Sequence, residues 1–197
     1  MTDARAIRAD FDAHTIVVYQ AYNGAIADAA LAAQRFVPPF SVGRMTWIKP
    51  SFLWMMERSG WATSPNQTRV LAIRLKRDAW EGALRSAVLT SFDPALHADA
   101  VVWQAALDAA PVRVQWDPER SLRGAKLEHR SIQVGLGRAV AAEYASDWVV
   151  EIRDLTSLAT RLAQLRRDGA YDRARDLLPP ERPYPTPDDL RVRLRMG

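Results

Sequence analysis

MTWIKPSFLWMMERSGW, residues 45–61, holds three of the chain's seven tryptophans, one of its three lysines and a proline, so burial and chemistry compete for the same side chains. Trp47 and Ile48 read as the end of a short strand. Pro50 then forces Lys49 out of the α region and suits the first turn of a helix running from about Ser51 to Arg58. Gly60 stands where a glycine stops a helix. The segment thus places Lys49 and Ser51 at a strand-to-helix junction, where unpaired backbone N–H groups favour an anion such as a phosphate. A lone lysine in an apolar run has little reason to sit there unless its ammonium meets an anion or water.

Upstream, TIVVYQAY over Thr15 to Tyr22 is β-branched and aromatic and reads as a buried strand, with Gln20 and Tyr22 on one face and Tyr19 on the other. Residues 1–14 read as a helical or irregular lead-in, Asn23-Gly24 as a turn, 25–36 as an alanine-rich helix and 37–44 as a loop. Downstream, RVLAIRLKR over Arg69 to Arg77 alternates as a strand, and Asp78 is placed to cap a helix over 79–88. A helix is expected within 98–107, then VRVQW over 112–116 as a short strand that Asp117-Pro118-Glu119-Arg120 ends, because proline donates no ladder hydrogen bond. RSIQVGL over 130–136 and WVVEI over 148–152 are further strands, each followed by a helix. From Leu178 the chain is proline-rich and extended, ahead of a basic tail over 191–197. Strands and helices without regular alternation predict an α+β fold: one domain over 1–197, built on one mostly antiparallel or mixed sheet of about five to seven strands with flanking helices.

Composition narrows the function classes. A hydrophobic content of 48% and a charged content of 25% are ordinary for a globular chain, and no run approaches the roughly 18 apolar residues of a membrane span. With a polar, acid-bearing N-terminus, the expectation is a cytoplasmic protein with no membrane partner. The absence of cysteine excludes disulfides, thiolate metal sites and cysteine nucleophiles. His14, His97 and His129 are far apart and not at ligand spacing, so no metal site is expected. There is no GxSxG elbow, no Walker loop and no complete GxGxxG; Gly135 and Gly137 give GLG and stop. The net charge of +4 is carried almost wholly by arginine, which is either a solvated surface or a set of forks facing phosphate or nucleic acid.

The remaining candidates lie on or just after strands. Gln20 and Tyr22 are either satisfied core groups or ligand contacts. Trp47, Trp54 and Trp61 are seven apart, only the last two can share a helical face, and each is either core or stacking platform. Gln115, Asp117, Glu119 and Arg120 in QWDPER form either a loop salt-bridge cluster or part of a site. Arg130 and Gln133 have opposite parity, so one strand aims both at one place only if a bulge or a strand end intervenes.

These stretches also carry a resemblance. VYQAY, MTWIKPSFLWMMERSGW, VLAIRL, VQWDPER, RSIQVGL and LPPERPYP resemble, nearly end to end, the hallmark strings of the family catalogued as domain of unknown function 4291, a name that confers no activity. A second and weaker similarity is to the ADP-ribosyltransferase-like fold, which includes RNA phosphotransferases that consume NAD. That similarity implies NAD as a cosubstrate, with no tightly bound cofactor. Gln20 or Tyr22 would stand for the first-strand NAD contact, Ser51 for the serine before a helix, and Arg130 or Gln133 for the later-strand polar residue. Lys49 and Arg130, with Arg58, would meet phosphates, and Tyr22 or Trp47 would stack on a base. Gln133 or Glu119 would steady an oxocarbenium charge, while Gln115, Asp117 and Arg120 would contact the second substrate, for which RNA is a candidate. The chain departs from that pattern in lacking the first-strand His or Arg and a Glu in RSIQVGL. Two rival readings stay open: a non-catalytic RNA or single-strand binding module, and a partner-binding scaffold whose tryptophans are core.

Overall fold

The computed structural model describes residues 4–197. A two-residue strand β1 (Arg8–Ala9) precedes β2 (Thr15–Tyr22) and helix α1 (Gly24–Ala33). The central stretch forms β3 (Thr46–Ile48) and α2 (Phe52–Ser59), followed by β4 (Arg69–Lys76), α3 (Arg77–Arg85), β5 (Ala87–Leu89) and α4 (Ala100–Ala109). A long hairpin, β6 (Val112–Arg120) and β7 (Lys126–Leu136), leads into α5 (Arg138–Glu143) and a single π turn, Tyr144–Trp148. The chain closes with β8 (Val149–Asp154), α6 (Thr156–Arg167), α7 (Tyr171–Arg175), β9 (Arg182–Pro183) and α8 (Asp188–Arg193).

The class is α+β, but the expected single sheet is divided. β2, β4 and β8 form a three-stranded antiparallel sheet in the order β2-β4-β8. A four-stranded sheet runs β3-β7-β6-β5, and β1 pairs with β9 in a separate ribbon. The two larger sheets are joined at one bridge, where the Tyr19 N–H donates to the Lys49 carbonyl at 2.6 Å. Pro50 follows at once and has no N–H to extend a ladder. In the other direction a side chain replaces the ladder, the Gln20 amide donating to the Trp47 carbonyl at 3.0 Å.

The period-two pattern of β2 and β4 places a core on each face of the three-stranded sheet. Ile16, Val18, Leu71, Ile73 and Leu75 join the larger core, with Trp80, Val134 and Tyr144. Val17, Tyr19, Val70 and Ala72 face Phe52, Met55 and Met56 of α2 together with Ala159, Leu162 and Leu165 of α6.

Several local expectations are corrected. The lead-in contains β1, because Ile7 and Ala9 are buried and β9 offers them an edge. Asp78 does not cap α3; the helix starts at Arg77, and Asp78 lies in its first turn, where its charge still suits the dipole. That helix ends at Arg85, and Val88 belongs to β5, parallel to β6. Asp117-Pro118-Glu119-Arg120 does not end β6, because a register shift between Pro118 and Arg120 absorbs the proline. The basic tail reaches the core: Leu194 and Met196 are buried, and the Trp116 indole donates to the Leu194 carbonyl at 3.1 Å. No helix among the described residues is long and apolar enough to cross a membrane.

Candidate functional site

Where β2 and β3 part beyond the Tyr19–Lys49 bridge, a cavity of about 800 Å³ opens. The size is that of a small-molecule or cofactor cleft. Gln20 and Tyr22 come from the end of β2, Trp47 and Lys49 from β3 and its exit, and Arg58 from α2. Gln115 and Gln133 reach it from β6 and β7. The loops before β3 and after α2 add Phe40, Arg44, Asn66 and Gln67.

Local sequence explains the placement of Lys49. Pairing of β3 with β7 sets Trp47 opposite Gly135. A Cβ at Gly135 would lie 2.7 Å from the Met45 sulfur and 3.0 Å from the Trp47 ring, so any side chain there would have to push the thioether and the indole aside. Lys49 follows one turn of the pleat later and is 5% exposed. Burial, aided by the nearby positive charge of Arg58 and opposed by Asp117, lowers the Lys49 ammonium to about 8. Its side chain makes no ion pair within 4.0 Å among the described residues.

Opposite it stands a clamp of two amides and a carboxylate. Gln115 and Gln133 are directly paired across β6 and β7, and Asp117 lies on the same face two residues along. Asp117 Oδ1 accepts from Gln115 Nε2 at 2.8 Å and Oδ2 accepts from Gln133 Nε2 at 2.5 Å. An ionised carboxylate only accepts, so both amides turn their NH₂ groups to it and keep their carbonyl oxygens available to a ligand. Gln20 is held equally firmly, its Oε1 accepting from the buried Tyr144 hydroxyl at 2.6 Å. Tyr22 stands edge-on to Phe36 and Phe40, and burial raises its hydroxyl above the usual range while the adjacent Arg44 pulls it back.

Seven of the sequence candidates therefore meet in one hollow: Gln20, Tyr22, Trp47, Lys49, Arg58, Gln115 and Gln133. Asp117 stands behind them as the orienting group. Ser51, Glu119, Arg120 and Arg130 do not line it. Ser51 caps α2 by accepting from the Trp54 N–H at 3.1 Å. The N-terminus of α2 is not open to an external phosphate, because Glu181 Oε1 accepts from the Phe52 N–H at 2.7 Å. Glu119 is buried with Oε1 accepting from the Arg120 N–H at 2.7 Å, and Arg120 pairs with Glu57 at 3.4 Å. Arg130 obeys its parity and donates to the Trp116 carbonyl at 3.0 Å, away from Gln133. Trp61 lies beyond Gly60, where α2 has ended, so it does not share a helical face with Trp54.

Sequence reading missed Arg44, Phe40, Asn66 and Gln67, which lie in loops without periodicity, and Tyr144, whose π turn carries no local signal. The electrostatic outcome is plain: Arg44, Lys49 and Arg58 line the cavity and, among the described residues, no carboxylate does. Among the described residues no cluster of three or more His, Cys, Asp or Glu is arranged to hold a metal.

Residues 6–184 match the family described as domain of unknown function, DUF4291. The chain belongs to this family. The DUF4291 region runs from just before β1 to just past β9, and every residue named in the cavity lies within it. A search of curated proteins finds no match.

Proposed function

We propose that the DUF4291 cavity binds a nucleotide bearing a pyrophosphate, of the NAD class, and that the protein is an ADP-ribosyltransferase-like enzyme. The observation that carries this reading is a lining that, among the described residues, has three cations and no carboxylate, set beside aromatic rings and oriented amides. Arg44 and Arg58 carry no ion pair among the described residues, so their forks are available to phosphate oxygens. Trp47 and Tyr22 offer apolar surface to a base or a nicotinamide ring.

The chemistry follows from the clamp. The bond between ribose C1′ and the nicotinamide nitrogen breaks, its electron pair leaves on nicotinamide, and the Gln133 carbonyl dipole faces the positive charge left on the ribose. Asp117 fixes that dipole and adds its own negative charge behind it. An acceptor hydroxyl attacks C1′ and yields its proton to the neutral amine of Lys49, a form accessible with an ammonium near 8.

Isothermal titration of the purified protein with NAD, NADP and ADP-ribose tests the binding. Heat of binding is expected for at least one of them, and no heat for any overturns the reading.

A further inference from the structure

A second hollow, of about 310 Å³, lies on the other side of the loop that closes the cavity, and nothing in the chemistry above uses it. Trp61, Arg166, Arg167 and Tyr171 line it. Its construction is specific. Gly60, Trp61 and Ala62 are three successive residues in the left-handed region, with φ of 56°, 58° and 68°. For a tryptophan that conformation is uncommon, and backbone bonds hold it: Trp61 N–H donates to the Met56 carbonyl at 2.9 Å and Thr63 N–H to the Ser59 carbonyl at 3.1 Å. The turn thereby swings the Trp61 indole off the end of α2 and under the Arg166 guanidinium, 4.4 Å from the ring centroid.

The tip of the β6–β7 hairpin supplies a second such pair. Arg123 lies 4.3 Å over the Tyr171 ring, and next to it Gly124 runs so close that a Cβ there would sit 3.1 Å from Arg166 Nη2. Among the described residues, Arg166 Nε is buried without a hydrogen-bond partner and no carboxylate lines the hollow. Arg167 donates to the Gln164 side-chain oxygen at 2.6 Å. Arginine planes laid on aromatic rings extend a stacking surface for bases, while their outer N–H groups face phosphate oxygens. An acidic peptide would be served by the charges alone and would gain nothing from two ring-backed guanidinium planes.

Position links this groove to the cavity. The segment 60–67 gives Gly60, Trp61 and Thr63 to the groove and Pro65, Asn66 and Gln67 to the cavity, so a strand that crosses one loop reaches both. We infer that the Trp61–Arg166–Tyr171 groove binds single-stranded nucleic acid and delivers it as the acceptor to the adjacent cavity. The delivery step rests on the NAD-class reading of that cavity; the binding does not.

The test is fluorescence anisotropy of a labelled single-stranded oligouridylate on the full chain, at salt concentrations from about 50 to 200 mM. The variant R166Q/R167Q removes two guanidinium groups, one of them stacked on Trp61, with circular dichroism confirming its fold; Arg123→Gln provides an independent second variant. Wild type is expected to bind, and R166Q/R167Q to weaken binding by about tenfold or more, with the slope of log K against log salt reduced in magnitude by about 1.4 for two lost phosphate contacts. Absence of wild-type binding overturns the inference, as does affinity unaltered in both variants, or displacement of the oligonucleotide by polyglutamate as effective as by unlabelled oligouridylate. The NAD titration is read separately. If it gives no heat while the arginine variants lose the oligonucleotide, the cavity reading falls and the groove stands, and the converse pair of results does the reverse.

Discussion

Replacing Lys49 by methionine keeps an unbranched stem of similar reach and removes the ammonium. In the unfolded chain that group ionises near 10.5, and in the folded protein near 8, chiefly because it is buried and secondly because Arg58 is close. Below pH 8 both states carry the proton, and the difference between the two values costs the native state about 3 kcal/mol. Between pH 8 and 10.5 the folded protein gives up the proton first, the unfolded state binds more protons, and wild-type stability rises with pH until the penalty is gone. Lys49→Met is therefore expected to stabilise the protein by about 2–3 kcal/mol at pH 7, a rise in midpoint of about 4–12 °C for a chain of this size, and by close to nothing at pH 10.5. The same substitution is expected to abolish NAD turnover, because the proton acceptor is lost. Urea midpoints for both proteins at pH 7 and 10.5 measure the first effect, and chromatographic assay of nicotinamide release the second. A variant less stable than wild type at pH 7, or a stability gap equal at the two pH values, would refute the view that Lys49 is a desolvated charge held for a ligand.

Gln133→Ala is expected to leave the heat of NAD binding largely intact and to lower nicotinamide release about a hundredfold or more, since the amide acts on charge that develops only in the transition state. Glu181 is held up to about 8 by burial, with Glu119 adding repulsion and the Phe52 N–H opposing, so the folded state binds the extra proton between pH 4.5 and 8 and wild-type stability falls as pH rises through that window. Glu181→Gln keeps an acceptor for the Phe52 N–H, and melting curves at pH 5 and pH 8 should lose that slope. Gly135→Ala forces Met45 and the Trp47 ring apart, with an expected cost of about 1–3 kcal/mol and a loss of NAD affinity out of proportion to it, read by titration calorimetry.

What the sequence disclosed follows the range of the interactions involved. The junction at 45–61 was legible because its signals are local: proline after Lys49, serine as cap, glycine at the left-handed stop. The parity argument separating Arg130 from Gln133 held for the same reason, since alternation is a property of one strand. Gln20, Lys49, Gln115 and Gln133 stood out as polar groups in apolar runs, and all four line the cavity. Glu181 was invisible as a partner of α2, because it arrives at Phe52 from 129 residues away. The division of the sheet was equally hidden, for it depends on a bridge between Tyr19 and Lys49 that no local pattern encodes. Arg44, Asn66 and Gln67 come from loops, where no periodicity marks a side chain as inward.

A helix start opposite a lysine first suggested that the backbone itself would hold a phosphate. Instead the chain meets the positive end of α2 with its own Glu181 and Ser51, and it spends Asp117 on two amides and Glu57 on Arg120. These acids thus have internal tasks, while Arg44, Lys49 and Arg58 line the cavity with no ion pair among the described residues. Uncompensated positive charge in a half-enclosed space is costly, and Arg69 avoids it by standing between Asp28 and Asp154. On the NAD-class proposal, that negative charge is what a pyrophosphate would bring to the Arg44 and Arg58 forks, with Lys49 left to take the acceptor's proton.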